Sequence, residues 1–315
     1  MASYSLEQLH RYFNRIGLPQ VDRQSSVAQK DEKVALQFLE LLQRYQLAAV
    51  PFENLILHYS AHRTISIDHE QVFDKIVNNA SRRGGYCMEN STLFGTVLRT
   101  LGYNVTPVGG RVNEAVQPMA ASKSWKGPTY NGWNHMVNIV TIGDHQYLID
   151  VGFGSNGPHR PVPLLENFEF HNTGDQCGRL VYAPIAQHTS KGQFVWQYEI
   201  RNGAKNAWTP AYCFTGTEFI PEDFEIINYY MSSNRASWFT FHVVCVRMIL
   251  DEKNEVIGDL TLFNNTLKRR TGATSEVLES FTSEEERVAA LEKYFQIYFP
   301  RVEREGIRYT ISEII

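Results

Sequence analysis

Cys87 is the residue of this 315-residue chain best placed for covalent chemistry. It lies in Arg82-Arg83-Gly84-Gly85-Tyr86-Cys87-Met88-Glu89-Asn90, directly ahead of an apolar helical pattern at Leu93, Phe94, Val97, Leu98 and Leu101. A thiol becomes a strong nucleophile when it ionises, and a helix N-terminus, an imidazole or a nearby cation favours the thiolate. Gly84 and Gly85 let the backbone turn sharply and bring N–H groups close to a reacting atom. His135 and Asp150 follow in that order. His135 opens the apolar run His-Met-Val-Asn-Ile-Val, and Asp150 ends Tyr-Leu-Ile-Asp, just before Val-Gly-Phe-Gly. Between the two runs, Gly143-Asp144 is a hairpin signal. If the runs pair through that turn, the numbers of facing residues sum to about 287. The partner of His135 then falls near Gly152, within one diagonal step of Asp150. A carboxylate there would accept a hydrogen bond from the imidazole, set its tautomer and stabilise the imidazolium beside a thiolate. Such a set forms and discharges a covalent acyl intermediate.

The bulk properties narrow the setting. The net charge of −4 gives no general attraction to nucleic acid or membrane surfaces, so an anionic ligand must be held by a local site. The four cysteines, at 87, 177, 213 and 245, contain no CxxC pair and no zinc-ligand spacing, which argues against a disulfide framework and a structural metal. The first twenty residues lack a basic head followed by an apolar core, and no window reads as a membrane span. A reducing cytoplasm, which keeps Cys87 reactive, is the expected location.

The elements that must position these residues read as helices, then sheet, then mixed structure. Residues 1–80 are expected to be mostly helical. Leu6, Leu9, Tyr12 and Phe13 mark a first helix ended by Gly17 and Pro19. Val34, Leu36, Phe38, Leu39, Leu41 and Leu42 mark a second, and Val72, Phe73 and Ile76 a third. Residues 103–112, 136–142 and 146–153 are strand-like, with a loop over 113–132. Residues 154–192, rich in Gly, Pro, Asn and His, read as irregular connection with room for short strands. Further strands are expected at 196–200, 238–250 and 256–263, with a closing helix over 284–299.

The local sequences resemble one enzyme family. Arg83-Gly-Gly-Tyr-Cys-Met-Glu89 is similar to the RGGxCxE signature of the arylamine N-acetyltransferases. Val50-Pro-Phe-Glu-Asn-Leu55 resembles their PFENL segment. His135 resembles their catalytic histidine, and Asp150-Val-Gly-Phe-Gly154 the D-x-GFG segment of their catalytic aspartate. A weaker match, Asn228-x-Tyr230-x-Ser232 with Ser237 and Phe239, resembles the coenzyme-contacting segment. The long 154–192 stretch resembles the interdomain insertion of eukaryotic members.

The resemblance implies an α+β fold: an N-terminal helical bundle (1–86), a central antiparallel β-barrel (87–200) and a C-terminal α/β lid with tail (201–315). It implies Cys87, His135 and Asp150 as the catalytic residues of a ping-pong acyl transfer from acyl-coenzyme A to an arylamine or hydrazine, in a monomer. The Cys87 amide is a candidate oxyanion donor. Asn131, Gly132, Gly152, Tyr230, Ser232 and Ser237 are candidates for coenzyme contact, and Phe52 and Phe153 for the acceptor pocket. Glu53 and Arg83 are expected to pair structurally. The tail, 308–315, is apolar enough to dock. Acetyl-coenzyme A is the first expectation for the donor. Malonyl-coenzyme A, preferred by some fungal relatives, is the alternative and needs a cation near Cys87, with Arg111 and Arg83 as candidates. A transglutaminase-like or cysteine-protease-like hydrolase is the remaining rival. The full RGGxCxE and D-x-GFG set favours the acyltransferase.

Overall fold

The structure, a computed structural model, describes residues 2–117 and 126–315. The N-terminal third is helical, as its apolar spacing predicts. Helix α1 (Leu6–Ile16) is capped by Ser5, whose hydroxyl accepts the Gln8 N–H while the Gln8 side chain accepts the Ser5 N–H. It ends at Gly17 with φ of 73°. Helix α2 (Glu32–Ala49) follows, then strand β1 (Phe52–Glu53), short helices α3 (Ile56–Tyr59) and α4 (His69–Phe73), and α5 (Cys87–Thr100). Leu9, Phe13, Phe38, Leu39, Leu42, Phe73, Leu93, Phe94 and Val97 meet in one apolar core with strand residues Val105, Val140 and Val246.

The middle of the chain builds an eight-stranded antiparallel sheet. Its strands are β2 (Asn104–Val112), β3 (His135–Ile142), β4 (His145–Ile149), β5 (Val162–Pro163), β6 (Glu169–Thr173), β7 (Gln176–Ala183), β8 (Val195–Asn202) and β9 (Thr209–Glu218), in the order β5-β4-β3-β2-β9-β8-β7-β6. The hairpin turns at Gly143, with φ of 57°, and pairs Ile142 with His145 and Asn138 with Ile149. This is the register read from the sequence. The expected antiparallel β-barrel is an open half-barrel: β5 and β6 remain edge strands. Strands β5, β6 and β7 lie within the 154–192 stretch, where the sequence leaves room for short strands in an irregular connection. Of the expected loop over 113–132, residues 118–125 lie outside the described residues.

The second sheet has the order β1-β10-β11-β12-β13, with β10 (Val244–Leu250), β11 (Val256–Phe263), β12 (Thr266–Thr271) and β13 (Thr274–Ser280). Residues 238–250 were expected as one strand; instead Trp238–Thr240 forms a short 3₁₀ turn before β10. Helix α6 (Pro221–Ser233) precedes it, and α7 (Glu284–Phe295) packs Val288, Leu291 and Phe295 against this sheet. The C-terminal tail is docked: the Ser312 hydroxyl is 2.7 Å from His58 Nδ1, and the Ile314 N–H donates to Glu284 at 3.0 Å. Among the described residues, no helix is long and apolar enough to cross a membrane.

Candidate active site

Cys87 is the first residue of α5 and is almost fully buried. At that position its N–H has no acceptor within the helix and faces the positive end of the helix dipole. The two glycines before it earn their place by close approach rather than by a special backbone turn, since neither has positive φ. A Cβ on Gly84 would lie 1.8 Å from the Pro51 carbonyl oxygen, and one on Gly85 would lie 2.6 Å from Glu89. Beneath them Glu53 is fully buried. It accepts from Arg83 Nε at 3.0 Å, from the Leu55 N–H at 2.6 Å and from the Gly84 N–H at 3.1 Å. Burial opposes charge on Glu53, but Arg83 and Lys75 outweigh it and hold its pKa down at about 2. Lys75 also donates to buried Glu89 at 2.6 Å. The expected Glu53–Arg83 pair is thus an internal tie that fixes the turn into α5.

His135 opens β3 and Asp150 follows the last residue of β4, so the hairpin register brings them together. His135 Nε2 lies 2.8 Å from Asp150 Oδ2, with both residues 1% exposed. The second carboxylate oxygen accepts the Gly152 N–H at 2.8 Å. Burial disfavours the imidazolium, yet Asp150 and the Cys87 sulfur outweigh burial and push the His135 pKa up to about 10. The Cys87 sulfur also lies 3.8 Å from the Asn134 carbonyl oxygen. Gly110, paired with His135, leaves room for the ring: a Cβ there would lie 3.4 Å from that of His135. Tyr212 and Phe153 pack edge-on against the imidazole, at 4.9 and 5.2 Å between ring centres. Sequence reasoning missed Tyr212, which sits on β9, a strand disguised by an internal proline and glycine.

The softer assignments separate. Phe153 touches His135, and half-buried Phe52 packs with Phe239 in the cluster that contains Tyr86, Cys87 and Met136. Gly152 lies directly against Cys87, because a Cβ there would lie 2.5 Å from Cys87 Cα. The Ser232 and Ser237 hydroxyls donate to helix carbonyls, of Asn228 at 2.7 Å and Met231 at 2.6 Å. Tyr230 is exposed on α6. Asn131 accepts from Arg111 through its carbonyl at 3.3 Å, and Gly132 is open to solvent. Arg83 is committed to Glu53 and Glu303. Arg111 instead stacks on Trp133 at 3.9 Å and has no carboxylate partner among the described residues.

Comparison with known proteins agrees with this architecture. A family profile described as N-acetyltransferase matches residues 35–304. The chain is 42% identical to an N-malonyltransferase FDB2 of Fusarium pseudograminearum over 320 residues, covering 96% of this chain and 92% of that protein. It is 29% identical to arylamine N-acetyltransferase 2 of Mesocricetus auratus, covering 75% of this chain and 76% of that one. The fold superposes on the arylamine N-acetyltransferase of Mycobacterium abscessus with a TM-score of 0.76 at 22% identity, covering 96% and 95% of the two chains. The chain belongs to the arylamine N-acetyltransferase family of acyl-coenzyme A-dependent N-acyltransferases.

Proposed function

We propose that this chain transfers a malonyl group from malonyl-coenzyme A to an arylamine or hydrazine nitrogen through a Cys87 thioester. The observation that carries the chemistry is the buried His135–Asp150 contact at the N-terminus of the helix that begins with Cys87. In the first half-reaction the Cys87 thiolate attacks the thioester carbonyl, and the Cys87 N–H is placed to stabilise the oxyanion. As the tetrahedral adduct collapses, the coenzyme thiolate leaves with the proton of the His135 imidazolium. In the second, the amine attacks the Cys87 thioester. Neutral His135 takes the amine proton, the Cys87 thiolate departs, and the starting ion pair is restored. Asp150 holds the imidazole tautomer throughout. Phe52 and Phe153 form apolar walls suited to an aromatic acceptor.

Acetyl, the first expectation from the sequence, becomes the second reading for the donor. The 42% identity to an N-malonyltransferase across nearly the whole chain supports malonyl. So does Arg111, an arginine with no carboxylate partner among the described residues, on the strand paired with that of His135. The acetyl reading is supported by the more distant relative named for acetyl transfer. The test compares kcat/KM for the two donors with one aniline, in wild type and in Arg111→Gln. Malonyl is expected to win by more than about tenfold, equal to about 1.4 kcal/mol of differential transition-state binding, and Arg111→Gln to narrow the gap. An acetyl preference of that size overturns the donor assignment.

A further inference from the structure

Gln43 is fully buried on the core face of α2, among Phe38, Leu39, Leu42 and Leu47. A buried primary amide is costly unless it is hydrogen-bonded. Its Nε2 donates to the Asp150 carbonyl at 3.2 Å and to the Pro158 carbonyl at 3.0 Å. These acceptors bracket the segment 150–158. Within that segment the Asp150 carboxylate meets His135, Gly152 lies against Cys87, and Phe153 packs on the His135 ring. The carboxylate's own partners, His135 Nε2 and the Gly152 N–H, fix its rotamer. The Gln43 amide ties the segment's backbone to a helix of the N-terminal core.

We propose that Gln43 is a positioning residue that pins both ends of the 150–158 segment to α2 and so sets the Asp150–His135 and Gly152–Cys87 contacts. The inference rests on the reading of Cys87, His135 and Asp150 as the catalytic group. The groups facing His135 are Asp150, Cys87 and the Tyr212 ring, and Tyr198 also feels the Asp150 charge. Substituting Gln43 removes none of them, so its effect must pass through their placement.

The test uses Gln43→Met, which keeps the side-chain length and loses both donors. Gln46→Met serves as control. Gln46 lies one turn along the same helix, equally buried, but its carbonyl accepts the Tyr12 hydroxyl at 2.9 Å. Four quantities are read: coenzyme A release without acceptor, acceptor KM, the pH profile of Cys87 alkylation by iodoacetamide, and Tm. Gln43→Met is expected to slow acylation about tenfold or more and to shift the pH profile of Cys87 alkylation, because the imidazolium loses part of its counter-charge and the His135 pKa falls below its value of about 10. The acceptor KM should change less than kcat. Gln46→Met should lower Tm and leave the profile in place. Gln43→Asn, which keeps the amide but falls one methylene short, should give the same shift and stands in if the methionine variant does not fold. A folded Gln43 variant with wild-type acylation and a wild-type profile overturns the inference, as does Gln46→Met shifting the profile equally. Asp150→Asn is run alongside. Normal turnover there removes the catalytic reading and this inference with it, whereas an inactive Asp150→Asn with normal Gln43 variants removes only the role of Gln43.

Discussion

Gly152→Ala tests how closely the site is packed, because the glycine touches Cys87, the proposed nucleophile. An alanine Cβ would lie 2.5 Å from Cys87 Cα and 3.0 Å from both its Cβ and its carbonyl oxygen. Carbon atoms at rest sit about 3.5–4.0 Å apart, so the contact must open by roughly 1 Å. Cys87 is held in the first turn of α5, so the displacement falls on the loop. The Gly152 N–H is the group that Asp150 Oδ1 accepts at 2.8 Å, and it carries the shift into the Asp150–His135 contact. A misplacement of about 1 Å costs on the order of 10²-fold in rate, or about 2.7 kcal/mol of transition-state stabilisation. Gly152 does not have positive φ, so steric pressure alone is at work. The assay is single-turnover release of coenzyme A in the absence of acceptor, with Tm measured in parallel. The variant should remain folded while acylation falls by that factor. A folded Gly152→Ala enzyme that acylates at the wild-type rate would refute the claim that this packing sets the catalytic geometry.

Two further outcomes follow from the same structure. Iodoacetamide at neutral pH should label Cys87 first, because burial pushes the Cys213 thiol up to about 12 and raises Cys245 well above the ordinary range; peptide mapping that finds Cys177, Cys213 or Cys245 labelled as fast as Cys87 contradicts this. Glu53 has its folded pKa lowered from 4.5 to about 2, so its stabilising effect is present above about pH 4.5 and is lost as pH falls through the folded value. Glu53→Gln should therefore lower Tm at neutral pH, by the equivalent of at most about 3 kcal/mol, because buried Arg83 loses its buried counter-charge and keeps only Glu303, and should flatten the acid-side fall of Tm. An equally steep fall in the variant would assign the acid sensitivity elsewhere.

The sequence made the core of the site legible because its signals are local. Gly143-Asp144 fixes the hairpin, the hairpin fixes which residues face each other, and that register delivers Asp150 to His135. The helical spacing before residue 100 is likewise a local signal. What stayed hidden depends on distant partners. Strands β6 and β7 are only faintly marked in the sequence because their buried polar residues, Asn172 and Gln176, satisfy each other at 2.8 Å and contact Gly157 and Asn156. No alternating apolar pattern announces them. Strand β9 carries Pro210 and Gly216, which read as breakers. Gln43 is a lone polar residue in an apolar helix stripe, and its two acceptors lie more than a hundred residues away. The sequence offers the hydroxyls of Ser232 and Ser237 to a ligand, but each is spent on a nearby carbonyl of α6.

The most direct test of the account is intact-mass analysis of the enzyme mixed with malonyl-coenzyme A and no acceptor. The account predicts a gain of one malonyl group, located by peptide mapping on Cys87, absent in Cys87→Ser and discharged when an aniline is added, with the malonyl anilide formed in equal amount. Release of coenzyme A with no adduct on Cys87, or an adduct that aniline does not discharge, would contradict transfer through the Cys87 thioester.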